Sequence, residues 1–160
     1  MKFSDFISTK AIRPNLKSAG KEDTITELVD SLVDAGDISG DDRDNIIRAI
    51  MKREELGSTG IGRGIAIPHT KNAQVEKLVG TVGVSEEGID FDSVDGNKAH
   101  LFFLLISPPD RPGDHLRALE NITRQVRNDT FCKFLRQSKQ AEDIYQLLEE
   151  SDNNQFGSGA

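Results

Sequence analysis

The chain has 160 residues, of which 36% are hydrophobic and 29% charged, and its formal net charge is −7 at pH 7. These values indicate one soluble globular domain rather than a disordered chain, and the acidic balance argues against a protein that binds nucleic acid through a basic face. The single cysteine, Cys132, excludes an intrachain disulfide, and because the chain has neither an apolar run of about 18 residues nor a signal peptide, we expect a cytoplasmic protein without direct membrane insertion.

The first third of the chain predicts two helices after a short extended segment. The run 11–16 alternates, but it contains Pro14, which cannot donate to a strand ladder, so the run is an edge strand at most. Apolar residues recur at helical spacing over 21–35, and a second such pattern runs from about Asp41 to Gly57. Both patterns are followed by a glycine, which is typical of a helix end.

The middle of the chain predicts several strands. Residues 65–67 read as a short strand that stops at Pro68, and residues 78–85 alternate as a strand does. Residues 89–91 predict a further short strand. The run 101–106 is continuously apolar, which predicts a central strand buried on both faces.

The last third of the chain predicts three helices. After the proline-rich turn 108–113, Asp114 is suited to cap a helix with an apolar face. Shorter helical patterns follow over 130–137 and 141–150.

The order of the elements predicts the fold class. Helices come first, then strands, then helices, so the chain is not a strict βαβ alternation. We expect a single α/β domain over 1–151, with a mixed sheet and helices on both of its faces. The polar end, 152–160, is predicted to be a flexible tail.

A glycine-rich stretch over 57–64 is the first candidate for chemistry. It does not fit a dinucleotide fingerprint, because Ile65 stands where the third glycine is required, and it lacks the Gly-Lys-Ser/Thr of a P-loop. Glycines nevertheless let backbone N–H groups approach an anion. Ser58, Thr59 and Gly60 are therefore candidate phosphate-binding residues, although they show no Ser-His-Asp order of a hydrolase triad.

His69 is the sharper candidate, because it follows Pro68 at the end of a predicted strand. Open α/β sheets commonly carry reactive groups there, and a neutral imidazole nitrogen can attack phosphorus to form a covalent intermediate. Position alone also fits a structural or merely exposed histidine.

A transferring phosphoryl group requires cationic or N–H donor partners. Arg53, near the end of the second helix, can bind phosphate in a bidentate manner. His115 lies in the first turn of a helix, where free N–H groups favour anions. Each residue, taken singly, also fits a surface position. His100 is interpreted as structural, and three scattered histidines with one cysteine predict neither a metal site nor a cofactor.

The stretch from Arg53 to His69 closely resembles the active-site signature of enzyme IIA domains of the bacterial phosphotransferase system (PTS). The resemblance is to the fructose/mannitol type, EIIA type 2, which includes the nitrogen-regulatory enzyme IIA. Residues 104–108, together with His115 and Leu116, resemble the second block of the family. The resemblance covers about 1–151.

This resemblance implies a three-layer α/β/α sandwich in which His69 is the phosphorylated residue and Arg53 and His115 line the site. It also implies that the donor is a small histidine-phosphorylated carrier protein (HPr-like). Two positions depart from the usual pattern and are expected to flank the site: Thr70 stands where glycine or alanine is frequent, and Arg63 stands where asparagine is frequent.

The resemblance leaves two functions open. The first is a regulatory, nitrogen-type signalling protein whose phosphorylation state controls which target protein it binds. The second is a sugar-specific enzyme IIA that relays phosphate to a IIB domain for sugar uptake. Because sugar-specific versions are often fused to IIB or membrane domains, and this chain carries none, we expect the regulatory role. A scaffold that has lost the chemistry is disfavoured by the joint presence of His69, Arg53 and His115.

Overall fold

A computed structural model describes residues 1–156 of the chain. Short 3-10 helices cover Phe3–Asp5, Thr9–Ala11 and Gly40–Asp42. The α-helices are α1 (Lys21–Asp34), α2 (Arg43–Glu55), α3 (Pro112–Gln125), α4 (Asp129–Gln137) and α5 (Ala141–Asp152). The strands are β1 (Gly60–Gly62), β2 (Ile65–Ala66), β3 (His69–Lys71), β4 (Val79–Ile89) and β5 (Ala99–Ser107).

Strand β5 is the centre of a mixed sheet. Strands β2 and β3 pair with β5 in parallel on one side, and β4 pairs with it antiparallel on the other. The register places Ile65 opposite Leu101 and His69 opposite Leu105. Strand β1 then adds to β2 as an antiparallel edge. The predicted mixed sheet is confirmed.

Both faces of β5 are buried, because its successive side chains enter two separate apolar clusters. Leu101, Phe103 and Leu105 pack with residues of α3, α4 and α5. The intervening side chains of β5 pack with residues of α1 and α2 on the opposite face. The predicted three-layer α/β/α sandwich with helices on both faces of the sheet is therefore confirmed.

The glycine-rich stretch contains a strand that the sequence pattern did not predict. Strands β1 and β2 form a hairpin in which Gly62 pairs with Ile65, so that Arg63 and Gly64 are the two turn residues. Their φ angles are 59° and 80°, as a type I′ turn requires. Asparagine followed by glycine is the common choice for this turn, and an arginine in its place concealed the signal.

Other boundaries differ from the predicted ones for local reasons. The segment around Pro14 is not a regular strand: it borders β4 through the backbone bonds of Arg13 and Leu16 to Val82 and Val84. Helix α3 begins at Pro112, which suits a first helical position because proline has no N–H group. Asp114 therefore lies inside the first turn rather than at the cap.

The end of the described chain is packed against the domain. The Asp152 carboxylate, within α5, accepts hydrogen bonds from the backbone N–H groups of Phe3 at 2.7 Å and Ser4 at 3.1 Å. The Phe156 ring lies 5.3 Å from that of Phe131. Asp152 and Phe156, within the segment predicted as a tail, 152–160, thus contact the rest of the fold, and the flexibility of the segment stays a prediction. Residues 157–160 lie outside the described part of the chain.

Candidate functional site

Strands β3 and β5 and helix α3 bring two histidines together. His69 begins β3 beside the carboxyl end of β5, and the loop that leaves β5 leads directly into α3, which carries His115 in its first turn. The two imidazole rings have centroids 5.5 Å apart and are tilted by 59°. The structure therefore places His115 at the same edge of the sheet as His69, as expected from the sequence.

The hydrogen bond of His69 determines which ring nitrogen is free. Its Nδ1 lies 2.7 Å from the carbonyl oxygen of Ile67. A carbonyl oxygen can only accept, so Nδ1 carries the proton and the lone pair is on Nε2. Pro68 lies between Ile67 and His69, and its backbone oxygen accepts a hydrogen bond from the Leu105 N–H group of β5 at 3.0 Å, which holds this segment against β5. Nε2 of His69 is therefore the nitrogen of the neutral ring that could act as a nucleophile.

The surroundings of His69 keep the ring neutral. Burial lowers the pKa of His69 below its ordinary value of 6.5, and the positive charge of Arg53 lowers it further. The bond to Ile67 and the charge of Glu54 oppose this shift of the pKa but do not reverse it. A neutral imidazole at neutral pH is the form that can attack phosphorus.

Arg53 lies in the last turn of α2, within electrostatic reach of His69. Its guanidinium donates from Nη1 to the carbonyl oxygen of Gly57 at 2.8 Å. The next residue, Glu54, is buried and pairs with Lys21 Nζ at 2.9 Å. Its carboxylate also accepts from the backbone N–H of Thr59 at 3.1 Å. Glu54 therefore ties the end of α2 both to α1 and to the start of the glycine-rich stretch.

The three residues predicted to bind phosphate are engaged within the protein. The Ser58 hydroxyl donates to the Phe91 carbonyl oxygen at 2.6 Å and accepts from Gly60 N–H at 2.9 Å. The Thr59 hydroxyl donates to the Glu54 carboxylate. These contacts shape the loop, and phosphate binding by Ser58, Thr59 and Gly60 stays a prediction.

His115 is buried, and its Nδ1 is hydrogen bonded to the hydroxyl group of Ser107 at the end of β5. Burial lowers the pKa of His115 to about 4, and the proximity of His69 and of the Lys71 ammonium group contributes to the shift. At neutral pH the His115 ring is therefore uncharged and can offer hydrogen bonds but not a positive charge.

A family model described as "Phosphoenolpyruvate-dependent sugar phosphotransferase system, EIIA 2" matches residues 5–151. The chain belongs to this family. The match spans both the Arg53–His69 stretch and the block that contains His115, which are the two parts of the chain that meet at the site. The resemblance inferred from the sequence is confirmed.

Relatives of this EIIA type-2 chain fall into two groups. It is 36% identical over 148 residues to a nitrogen regulatory protein of Bradyrhizobium diazoefficiens, and the match covers 92% of this chain and 95% of that protein. It is also 36% identical over 132 residues to a fructose-specific PTS EIIA component of Haloferax volcanii, covering 82% and 84% of the two chains.

Solved structures show the same fold. The crystal structure of the nitrogen regulatory protein IIA-Ntr from Neisseria meningitidis superposes with a TM-score of 0.81 at 26% identity, covering 90% of this chain and 97% of that one. The Escherichia coli mannitol IIA crystal structure gives a TM-score of 0.74 at 22% identity, covering 88% and 97%. The latter likeness supports the fold alone.

Three residues near the site were not predicted from the sequence to lie there. Lys71 ends β3 and lies on the same strand face as His69, since side chains two residues apart share a face. Ser107 bonds to His115, and Glu54 anchors the turn after Arg53. Strand periodicity could have pointed to Lys71. Ser107 and Glu54 act through partners that only the folded chain supplies.

Arg63 does not flank the site as expected. It lines a cleft of about 510 Å³ beside Ile65 and Leu101, near the opposite end of β5 from His69. Its guanidinium pairs there with Asp129.

Within residues 1–156, no group of three or more His, Cys, Asp or Glu side chains is placed to hold a metal ion. Over the same range, every helix is too short or too polar to cross a membrane.

Proposed function

We propose that this chain is a phosphoryl carrier of the phosphotransferase system that accepts a phosphoryl group on Nε2 of His69 from a histidine-phosphorylated carrier protein. The observation that carries the proposal is the state of His69. Its ring is neutral, its Nδ1 proton is used by the Ile67 carbonyl, and its Nε2 is left free beside His115.

The transfer is balanced without a further reactant. The Nε2 lone pair of His69 forms a bond to phosphorus while the bond between phosphorus and the donor's histidine nitrogen breaks, and its electron pair returns to the donor ring. His69 keeps its Nδ1 proton, hydrogen bonded to the Ile67 carbonyl oxygen, so the phosphorylated ring carries the positive charge that the protonated donor ring gives up as it leaves neutral. Charge on the three equatorial oxygens is then stabilised by the guanidinium of Arg53 and by an N–H group of His115. The neutral state of both histidine rings supports this division of roles.

We further propose that the carrier has a regulatory role of the nitrogen type. The support is the match to the nitrogen regulatory protein of Bradyrhizobium diazoefficiens, which extends over nearly the whole of both chains at 36% identity. In this role the phosphorylation state of His69 controls which target protein binds.

The relay of phosphate to a IIB domain is the second candidate. It is supported by the 36% identity to the fructose-specific EIIA component of Haloferax volcanii. The mannitol IIA of Escherichia coli has been solved in complex with phosphorylated IIB, and that chain shares the fold at 20% identity.

The proposed acceptor is tested by incubating the protein with phosphoenolpyruvate, the first enzyme of the relay and its histidine carrier. Intact-mass measurement should show one added phosphate that is labile in acid and stable in base. His69→Ala should abolish the label, whereas His100→Gln should retain it, because His100 lies outside the site with its Nδ1 at 3.0 Å from the Ser85 oxygen. Labelling that survives in His69→Ala would refute the assignment.

A second step separates the two roles. The phosphorylated protein is mixed with purified IIB domains of fructose and mannitol type, and the loss of its phosphate is followed over time. Rapid transfer to a IIB domain would favour the relay. A stable phosphoprotein, together with a target that binds only one phosphorylation state, would favour regulation.

A further inference from the structure

Ser107 occupies a position that connects the central strand to the proposed site. It is the last residue of β5, it is fully buried, and its backbone oxygen accepts from Asn72 N–H at 2.9 Å. Its hydroxyl bonds to His115 Nδ1, and no other partner of that hydroxyl occurs among residues 1–156. A buried hydroxyl with a single partner is oriented by that partner.

The Ser107 hydroxyl selects one tautomer of the neutral His115 ring. Within the described residues, Nδ1 is the acceptor available to the Ser107 proton, so the arrangement that satisfies the buried O–H has the hydroxyl donating to Nδ1. The remaining ring proton of His115 is then on Nε2. This makes the free nitrogen of His115 a donor, while the free nitrogen of His69 is a nucleophile.

We propose that Ser107 is a positioning residue that holds His115 in the Nε2–H tautomer, so that His115 donates a hydrogen bond to an oxygen of the transferring phosphoryl group. The inference rests on the proposed function of His69. The opposite tautomer would present a lone pair to the phosphoryl oxygens and repel them. No proton leaves His115 during the step, so the transfer remains balanced between the donor nitrogen, phosphorus and His69 Nε2.

The charges around His115 agree with a neutral donor. His69 and Lys71 face the ring from β3, and both lower its pKa. On its own helix, Asp114 is paired with Arg117 at 2.6 Å and with Arg111 at 3.7 Å. Arg53 lies beyond His69 on α2. The positive charge of Lys71 thus favours the neutral form of the His115 ring.

The matched variants are Ser107→Thr, which keeps the hydroxyl, and Ser107→Val, which has a similar shape but lacks it. The tautomer of His115 is read from long-range ¹H–¹⁵N correlation spectra of the unphosphorylated protein. In the wild type and in Ser107→Thr we expect the Nε2–H form. In Ser107→Val we expect a mixture of tautomers and a raised pKa of His115, because the donor that favours the neutral ring is lost.

Kinetics provide the second measurement. The rate of phosphoryl transfer from the carrier should fall about fivefold in Ser107→Val, as expected for the loss of one neutral hydrogen bond. In the pH profile of that rate, the decrease on the acid side should move to higher pH. Ser107→Thr should restore both the rate and the pH profile. Ser107→Ala is the smaller alternative if valine prevents folding, which circular dichroism would show.

The outcomes separate this inference from the proposed function. A wild-type tautomer and rate in Ser107→Val would overturn the role of Ser107, as would equal impairment of the threonine and valine variants, which would indicate packing alone. The tautomer of His115 is measured on the unphosphorylated protein. A protein that no carrier phosphorylates would therefore refute the function of His69, while the spectra would still decide whether Ser107 sets the tautomer.

Discussion

The Arg53 side chain serves both structure and electrostatics at the end of α2. Its Nη1 donates to the Gly57 oxygen at 2.8 Å, which closes the turn that leaves the helix. Its positive charge also lowers the pKa of His69. Burial is the main cause of the lowered pKa, and the Arg53 charge that adds to it would also attract the phosphoryl group during transfer, so the two effects of Arg53 are expected to be lost together.

Arg53→Ala should therefore slow phosphorylation of His69 roughly a hundredfold or more, since loss of one preorganised charged partner typically raises a barrier by about 2.7–4 kcal/mol. The pKa of His69 should rise, because a neighbouring positive charge has been removed. Rapid-quench labelling measures the rate, and NMR titration of the ring measures the pKa. Arg48→Ala, on an exposed position of the same helix, is the control, and equal rates in the two variants would exclude a role for Arg53.

His115 should make the stability of the protein depend on pH. Its pKa is about 4 in the folded protein, compared with an ordinary value of 6.5. The unfolded chain therefore binds a proton that the folded chain does not, so stability is complete above about pH 6.5 and decreases as pH falls toward 4. At 1.36 kcal/mol per pKa unit, the loss from this group is at most about 3 kcal/mol.

His115→Gln should flatten the dependence of unfolding free energy on pH between about 6.5 and 4. Urea denaturation followed by circular dichroism at several pH values measures the slope. The window from pH 7 to 8 is the internal control, because the slopes of wild type and variant should agree there. An unchanged slope in the acid window would show that His115 is not the group responsible.

At the scale of elements, the β1–β2 hairpin holds a strained residue. Arg63 adopts a φ angle of 59°, and the left-handed conformation costs a residue with a Cβ about 1–2 kcal/mol unless a short polar side chain relieves it. Both side chains of its ion pair with Asp129 are exposed, so the pair contributes about 0–1 kcal/mol to the free energy of unfolding. The strained backbone of Arg63 therefore lowers the stability of the fold, whereas its ion pair raises it.

Arg63→Asn should raise the free energy of unfolding by about 0.5–1 kcal/mol, because asparagine tolerates the left-handed region. Arg63→Val should lower it by more than about 1 kcal/mol, since a β-branched side chain fits this region poorly. Urea denaturation measures both changes, and Asp129→Asn isolates the contribution of the ion pair. Neither variant should alter phosphorylation, because Arg63 lies near the other end of β5 from His69. A less stable Arg63→Asn would mean that the ion pair outweighs the strain.

For the whole molecule, the charge near His69 contrasts with the net charge of −7. Arg53 and Lys71 both lie close enough to affect the histidine pair. Two leucines are exposed on α2 and α3: Leu56 at the end of α2 is 84% exposed, and Leu116 next to His115 in α3 is 58% exposed. Apolar side chains beside positive charges are suited to an acidic partner surface.

Phosphorylation adds about −1.5 to −2 charge, so it should neutralise the positive surface around His69 without changing the fold. An acidic regulatory partner should bind the unphosphorylated form more tightly, and its affinity should fall with added salt. Quantitative mass spectrometry of proteins captured by His69→Ala and His69→Asp baits compares the two states. A partner set that does not distinguish the baits, together with rapid transfer to a IIB domain, would support the relay instead.

The local pattern of the sequence determined most of the elements and pointed to the residue that we propose as the acceptor. The continuous apolar run 101–106 predicted a central strand, because only burial on both faces accounts for such a run. The dipeptide Pro68-His69 at a strand end predicted a candidate nucleophile, and the surrounding residues identified the family. These features involve residues close together in the chain, where periodicity and turn chemistry apply.

The tertiary structure alone decided how the site is completed. Ser107 meets His115 across the loop from β5 to α3, Glu54 meets Lys21 across two helices, and the Asp152 carboxylate caps the N-terminal turn. Each contact joins elements that are brought together by packing on the two faces of β5, so no local pattern encodes it. The tautomers and pKa values of His69 and His115 depend on burial and on neighbours from other elements, and for that physical reason they could be read only from the folded chain.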